Sequence, residues 1–433
     1  MHILFVSNLY PPNSIGGYEK LAFAVAQELS SRGHRITVLT SDFGGETATY
    51  SGQTVHRDLK LFVGATIYDP FDGNEEDMQL RCALNSARLA DLVRVSQPDV
   101  VFSWNLFFLH PSMLCALETL PVPVVVMLTD NWLINMIKPE WWQDYYAREV
   151  RARATPHAEP SPSQPFSRLK RRLAAILRRV RSQPGTSVHR VTKAEPRKLT
   201  AIFGSRYMSW MHAQAGLSFL REETVHNGVK PLQYGDARPK HRNESTSNGP
   251  IRLLFAGRLV DLKGAHHVVE ALAYLKRTDS AAAEMTLTIV GDRQDKSYDR
   301  MLASAIQASG CGDFISLLPP VKEHELPALF ALHDIYVFPS LYEPFSLTLI
   351  HALGAAIPTI ASDAGGNTEI VVDGVTGLIY PRGDSRALAD RIARLTREPE
   401  LRRRLAQAGK KAATRFTFET MVDRMERVLE EVR

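Results

Sequence analysis

Ile251-Arg252-Leu253-Leu254-Phe255-Ala256-Gly257-Arg258-Leu259-Val260-Asp261-Leu262-Lys263-Gly264 decides the fold. A short apolar run ended by glycine reads as a strand buried on both faces. A turn with two cations follows, and Gly264 opens the next helix. The chain has already used this plan once. His2-Ile3-Leu4-Phe5-Val6-Ser7 reads as a strand, and Pro11-Pro12-Asn13-Ser14-Ile15-Gly16-Gly17-Tyr18-Glu19 leads from it into a helix over residues 18–30. Leu21, Val25 and Leu29 share one face of that helix, and Arg32-Gly33-His34 closes it. A strand, loop and helix begun twice in one chain predict two doubly wound parallel sheets, α/β in class.

Outward from these two starts, strands are expected at residues 36–40, 100–104 and 124–128. In the second half they are expected at residues 251–257, 285–290, 314–317, 335–338, 358–361 and 377–380, with helices over 385–396 and 416–432. The polar stretch 237–250 reads as a linker or long loop. The expected domains are residues 1–220, with a basic helical insert near 151–190, and residues 221–415. A C-terminal helix over 416–433 is expected to return to the first domain.

The length of 433 residues is too great for one ordinary core and suits two. With 44% hydrophobic and 23% charged residues the chain reads as globular rather than disordered. Cys82, Cys115 and Cys311 lie far apart with no metal-ligand spacing, so neither a disulfide framework nor a zinc site is expected. The first residues lack a basic segment and a long apolar run, and no apolar run approaches the roughly 20 residues of a membrane span. The expected location is the cytoplasm, either free or peripheral at the inner face of the membrane.

The formal charge of +5 is unevenly placed, because residues 151–190 hold ten Arg or Lys against Glu159 alone. Within them, Phe166-Ser167-Arg168-Leu169-Lys170-Arg171-Arg172-Leu173-Ala174-Ala175-Ile176-Leu177-Arg178-Arg179-Val180-Arg181 spaces its apolar residues as a helix does, with seven cations around them. One reading is an interfacial helix that holds the protein to anionic lipid. The other is a surface helix packing its leucine stripe on the first domain. A third partner, nucleic acid, finds no recognised motif. The aromatic run Trp141-Trp142-Gln143-Asp144-Tyr145-Tyr146 suits either stacking on sugar rings or internal packing.

Ligands of doubly wound sheets sit outside the carboxyl ends of the strands, so chemistry is sought in the loops that follow them. Gly16 and Gly17 place free backbone N–H groups at a positive helix end, where a phosphate or hydroxyl can dock, although a plain glycine turn looks the same. No G-x-G-x-x-G follows the first strand, which counts against a nicotinamide enzyme. Arg258 and Lys263, five apart across a turn beside Gly257, form a pair able to clamp a diphosphate and offset charge on a leaving phosphate. As plain structure they are two solvated cations. The richest stretch is Phe338-Pro339-Ser340-Leu341-Tyr342-Glu343-Pro344-Phe345-Ser346-Leu347-Thr348-Leu349-Ile350-His351-Ala352-Leu353-Gly354. There a loop offers Glu343, which can accept hydrogen bonds from sugar hydroxyls, and a helix opens near Ser346, so that the backbone at Phe345, Ser346 and Leu347 can hold phosphate oxygens. His351 lies further along the same helix. Read as structure alone, Glu343 is an acidic residue favoured by the helix dipole and His351 an ordinary polar position.

Taken together, Gly16-Gly17, Gly257-Arg258 with Lys263-Gly264, Glu343-Pro344-Phe345 and Asp363-Ala364-Gly365-Gly366-Asn367-Thr368-Glu369 resemble the retaining GT-B glycosyltransferases, in the right order over nearly the whole chain. The resemblance implies a GT-B fold, with two Rossmann-like domains facing across a cleft and a nucleotide-diphosphate sugar as donor. It implies that Arg258 and Lys263 bind the donor diphosphate and that Glu343 meets the donor sugar. Gly257, the backbone at Phe345, Ser346 and Leu347, His351 on the ribose side, and Glu369 would complete the donor side, and Gly16-Gly17 would face the donor from the other domain. Transfer would retain configuration, with no catalytic metal, no cofactor and no protein nucleophile. The acceptor would be a glycan, glycolipid or small molecule.

Three positions depart from the family pattern. His351 stands where a second Glu usually touches the ribose. Thr129-Asp130 stands where His-Asp is common beside the sugar, so these two are the residues expected on the acceptor or sugar side. Pro320 replaces a glycine near the base and brings no N–H. They leave room for a rival reading, a catalytically weak GT-B-fold protein that binds a nucleotide sugar or a partner and regulates. A GT-B epimerase is a further rival, lacking an evident acid or base. Anionic vesicles separate the two readings of the basic insert. A membrane helix predicts that deleting residues 167–181 abolishes co-sedimentation and that high salt weakens it, whereas equal binding by both forms favours packing.

Overall fold

The protein is described by a computed structural model covering residues 1–14, 16–45, 50–67, 69–153, 197–230, 232, 250–282 and 284–433. The candidate basic helix at 166–181, and the polar stretch 237–250 except Pro250, lie outside the described residues. The described chain forms two compact units. The first holds residues 1–144, 197–226 and 421–433, and the second residues 145–153 and 227–420.

Seven strands make the sheet of the first unit: β1 (His2–Val6), β2 (Arg35–Ser41), β3 (Gln53–Leu59), β4 (Val100–Ser103), β5 (Val124–Leu128), β6 (Arg197–Phe203) and β7 (Phe219–Thr224). Their order is β3-β2-β1-β4-β5-β6-β7, and every pairing is parallel. Val6 of β1 pairs with Leu39 on one side and Ser103 on the other. β1, β4 and β5 are buried along their whole length, which is why their sequences run apolar without alternation. The helix Gly17–Ser31 covers the sheet with Ala22, Val25, Ala26 and Leu29, and the Glu19 carboxylate closes its start by accepting the Gly16 N–H at 3.0 Å.

The C-terminal helix Phe418–Val432 buries Met421, Val422, Met425 and Leu429. Its outer face is tied down by Arg32, which reaches Asp423 and Glu426 at 2.7 Å each, and by His34, which reaches Glu426 at 2.6 Å.

The second unit repeats the plan with six strands: β8 (Arg252–Ala256), β9 (Thr286–Val290), β10 (Ile315–Leu318), β11 (Ile335–Phe338), β12 (Thr359–Ser362) and β13 (Leu378–Tyr380). They are ordered β10-β9-β8-β11-β12-β13, again all parallel. In each sheet the strand order reverses beside the first strand of the unit, between β1 and β4 and between β8 and β11. Ligands of such sheets bind at these switch points.

The expected doubly wound sheets are therefore present, and each strand read from sequence lies within about a residue or two of its observed bounds. The sequence reading passed over β3, β6 and β7. β3 and β7 are sheet edges, and Gln53-Thr54-Val55-His56-Arg57-Asp58-Leu59 and Phe219-Leu220-Arg221-Glu222-Glu223-Thr224 carry the polar and charged residues that edges favour. With β7 spanning Phe219–Thr224, the first sheet extends past residue 220. No described helix is long and apolar enough to cross a membrane.

One glycine is demanded twice over. Gly264 has φ +67°, and a Cβ there would stand 2.4 Å from the Pro339 carbonyl oxygen. Gly310 has nearly the same φ, +65°, but open space around it. Gly310→Ala is thus expected to cost about 1 kcal/mol, the backbone penalty alone. Gly264→Ala should lose more, because the loops must also part, and urea unfolding of the two variants checks the order.

Candidate functional site

At the carboxyl edge of the second sheet, four loops are stacked with little space between backbones. The N–H of Gly257, just past β8, donates to the Val290 carbonyl at 3.0 Å, and that of Gly291 to the Leu318 carbonyl at 3.2 Å. A Cβ on Gly291 would lie 2.0 Å from the Gly257 carbonyl oxygen. The Leu341 N–H, past β11, donates to the Leu262 carbonyl at 2.8 Å. Together with the contact of Gly264 on Pro339, this fixes the loop after β8 against the loop after β11.

These two loops supply the charges. Lys263 ends the short turn Asp261–Lys263, and its ammonium donates to Glu343 Oε2 at 2.5 Å while lying 5.5 Å from the centre of the Phe338 ring. The Glu343 side chain is 7% exposed and that of Lys263 18%, so the pair is largely shielded from bulk water. Arg258, on the same loop, is exposed. Beneath the turn, burial pushes the Asp261 carboxyl above its ordinary value, an effect opposed by His267 and Arg151.

Glu343 is held from the other side by the loop after β12. The Gly366 N–H donates to the Glu343 carbonyl at 2.9 Å, and a Cβ on Gly366 would lie 2.3 Å from the Pro344 carbonyl oxygen. Next to it the buried Asn367 amide donates to Ser340 Oγ at 3.1 Å and to the Ser362 carbonyl at 3.2 Å, and Ser362 Oγ donates to the Ser340 carbonyl at 2.6 Å. Asn367, Ser340 and Ser362 carry no role in the sequence reading. Their one signal is that two of them fall inside the quoted motifs. Glu369, in the short helix Asn367–Ile370, is half-buried.

The helix Leu347–Gly354 begins where the sequence reading put it. Ser346 caps it, its Oγ accepting the Leu349 N–H at 3.1 Å. The Phe345 ring packs in the core, 5.6 Å from that of Phe416. Side chains of Phe345 and Ser346 are thus committed to structure, and what the helix start offers a ligand is backbone N–H and a positive dipole end. His351 is buried, with Nε2 3.1 Å from Glu323 Oε1. Glu323, in the short turn Glu323–Glu325 after β10, has no place in the sequence reading.

In the first unit, Gly16 and Gly17 are exposed at the start of their helix. A Cβ on Gly17 would meet nothing within 4 Å, and neither glycine has positive φ, so the packing of this unit does not require them. Thr129 and Asp130 follow β5, and Tyr18 ties Thr129 to the same helix start. The Tyr18 hydroxyl donates to the Met127 carbonyl and accepts from Trp132 Nε1 at 3.1 Å and from the Thr129 N–H at 3.5 Å. Burial, with Asp130 nearby, pushes the Tyr18 phenol far up and keeps it a donor. Asp130 Oδ1 accepts the Trp132 N–H at 2.8 Å. In the aromatic run, Trp142 and Tyr145 are each only 6% exposed, which favours internal packing for these two.

Residues 15–182 match the family described as Glycosyltransferase Family 4, and residues 237–412 the one described as Glycosyl transferases group 1. The chain is 25% identical to a glycogen synthase of Mycobacterium tuberculosis over 97% of this chain and 92% of that one. Among solved structures it is similar in fold to sucrose-phosphate synthase of Thermosynechococcus elongatus, with TM-score 0.69, 18% identity and coverage of 100% and 98%. It is also similar to Anabaena HepE in complex with UDP and glucose, with TM-score 0.63, 20% identity and coverage of 99% of each chain.

The shielded ion pair has a consequence for stability. Lys263→Met leaves the Glu343 carboxylate in place without its cation and is expected to cost about 1.5–3 kcal/mol. Glu343→Gln added to it should recover part of that loss, because the unpaired charge is gone. A double-mutant cycle in urea measures the coupling.

Proposed function

The chain belongs to the GT-B glycosyltransferases, and from that premise we propose that it moves a sugar from a nucleotide-diphosphate sugar to a glycan, glycolipid or small-molecule acceptor with retention of configuration. The observation that carries the proposal is the Lys263–Glu343 pair at the switch point of the second sheet, with Arg258 exposed on the same loop and a capped helix start beside Glu343. Cations, a carboxylate and a positive helix end within one group of loops suit a ligand that is anionic at one end and rich in hydroxyls at the other.

In this reading the second unit takes the donor. Arg258, with its planar fork, and Lys263, a compact charge, hold the diphosphate, assisted by backbone N–H groups at Ser346 and Leu347 and by Gly257. Glu343 and Glu369 accept hydrogen bonds from the donor sugar. The bond from the sugar's anomeric carbon to the diphosphate oxygen breaks, and the electron pair leaves with the phosphate. The acceptor oxygen bonds to the same face of that carbon and gives its proton to the departing phosphate oxygen. Arg258 and Lys263 stabilise the charge growing on the phosphate, the part a metal plays in other transferases. The first unit takes the acceptor side through Thr129, held by Tyr18, and Asp130, which accepts the Trp132 N–H, while its Gly16 and Gly17 are donor contacts through backbone N–H.

Arg258→Ala tests the assignment most cleanly, since the side chain is exposed. It is expected to remain folded and to lose about 100-fold in turnover, the usual cost of removing one donor to a developing charge. Gly17→Ala should likewise keep its melting temperature while transfer falls. Sugar release and transfer from UDP-glucose, GDP-mannose and ADP-glucose, with and without EDTA, are the measurements. The anomeric configuration of the product by NMR tests retention. Near-normal turnover in Arg258→Ala removes the cation pair from the mechanism.

A further inference from the structure

We propose that Glu323 is a ligand-binding carboxylate of the same site, presented by the buried His351, and that it selects for the vicinal diol of a ribose. The proposal rests on the reading that this unit binds a nucleotide.

Placement comes first. Glu323 begins the turn after β10, and Val321 and Leu326 on either side of it pack on an apolar cluster that includes Ala256, Phe338, Phe345 and Leu349. The same cluster floors the ends of β8 and β11 and the start of the helix Leu347–Gly354. Glu323 therefore belongs to the loop group that carries Lys263 and Glu343. Its turn is closed by the Lys322 N–H donating to Glu325 Oε2 at 2.6 Å, which fixes the backbone from which it projects.

Orientation follows from burial. The His351 side chain is 4% exposed and that of Glu323 65%, with 3.1 Å between Nε2 and Oε1. An imidazole so enclosed cannot itself meet a ligand, and the end of the pair that faces solvent is the carboxylate. His351 acts as a positioning residue, donating from Nε2 to hold one carboxylate oxygen. A carboxylate has about four acceptor sites on two oxygens, so capacity remains for hydroxyl donors.

The chemistry of the ligand portion is then constrained. A negative group at this point repels phosphate and welcomes neutral donors, and two adjacent hydroxyls match two carboxylate oxygens. His351 lies five residues past Ser346, about 7.5 Å along the helix axis. The carboxylate is thereby set apart from the helix start that suits phosphate, as a nucleoside is set apart from its own diphosphate.

Calorimetry on the full chain tests this with UDP, GDP and ADP, the 2′-deoxy form of whichever binds, and inorganic pyrophosphate. Glu323→Gln and Glu323→Ala are expected to weaken the ribonucleotide about tenfold, with little change for the 2′-deoxy form and none for pyrophosphate. His351→Ala should act in the same direction, and His351→Gln, whose amide can donate from a similar place, should restore part of the loss. If the parent protein binds none of the three diphosphates, the nucleotide reading itself falls, and this inference with it. If a diphosphate binds but the Glu323 variants keep its affinity, or lose ribo and deoxy forms equally, Glu323 has no role in diol recognition while the nucleotide reading stands. Glu323 is exposed, so its variants are expected to fold even if His351→Ala does not.

Discussion

The second unit depends on one contact between backbones: Gly264 lies where any side chain would strike the Pro339 carbonyl. That contact lets the loop after β8 rest on the loop after β11, and the Leu341 N–H to the Leu262 carbonyl locks the two in register. Without it, Lys263 and Glu343, eighty positions apart in the chain, would have no reason to meet. The arrangement repeats one loop further on, where Gly366 lies against the Pro344 carbonyl. Glycine serves here because two backbones must come closer than a Cβ allows. The charges of the site are therefore positioned by residues that carry none.

The two units reach order at their carboxyl edges by different means. In the second, a cation and a carboxylate pair across two loops, and their mutual attraction opposes the cost of shielding them from water. In the first, the corresponding tie is neutral. Tyr18 gathers the Met127 carbonyl, the Trp132 indole and the Thr129 amide on one hydroxyl. A neutral latch is insensitive to salt and carries no charge for a ligand to displace.

Much of the fold was legible in the sequence because buried parallel strands are apolar without interruption, as Val124-Val125-Val126-Met127-Leu128 shows. β3 and β7 escaped because edge strands obey a different rule, and the run Arg221-Glu222-Glu223 resembles a solvated loop until its sheet is known. In the site, Lys263 and Glu343 were legible as residue types at loop positions, but their contact was not, since nothing local encodes a pairing between two loops. His351 shows the limit more sharply. Its position on the helix was readable, yet its partner Glu323 comes from the loop after β10, and only the strand order β10-β9-β8-β11 brings that loop near. Asn367 was invisible for the opposite reason: it reads as one polar residue in a glycine-rich turn, and its burial under Ser340 and Ser362 is a property of packing.

The resting pairing of Lys263 with Glu343 also constrains how the proposed donor would enter. A diphosphate carries more charge than one carboxylate and would compete for the Lys263 ammonium, drawing it toward Arg258. Glu343 would then lose its cation at the moment a sugar brings hydroxyl donors within reach, exchanging one strong partner for several neutral ones. The exchange keeps the buried carboxylate satisfied before and after binding, so no step leaves an unpaired charge. It also makes the two halves of the donor interdependent: a free diphosphate would take the lysine and leave Glu343 poorly paired, while a free sugar would find Glu343 still held. On the proposed reading only the intact nucleotide sugar would satisfy both residues at once, and discrimination of this kind would require no contact beyond those of the loops after β8 and β11.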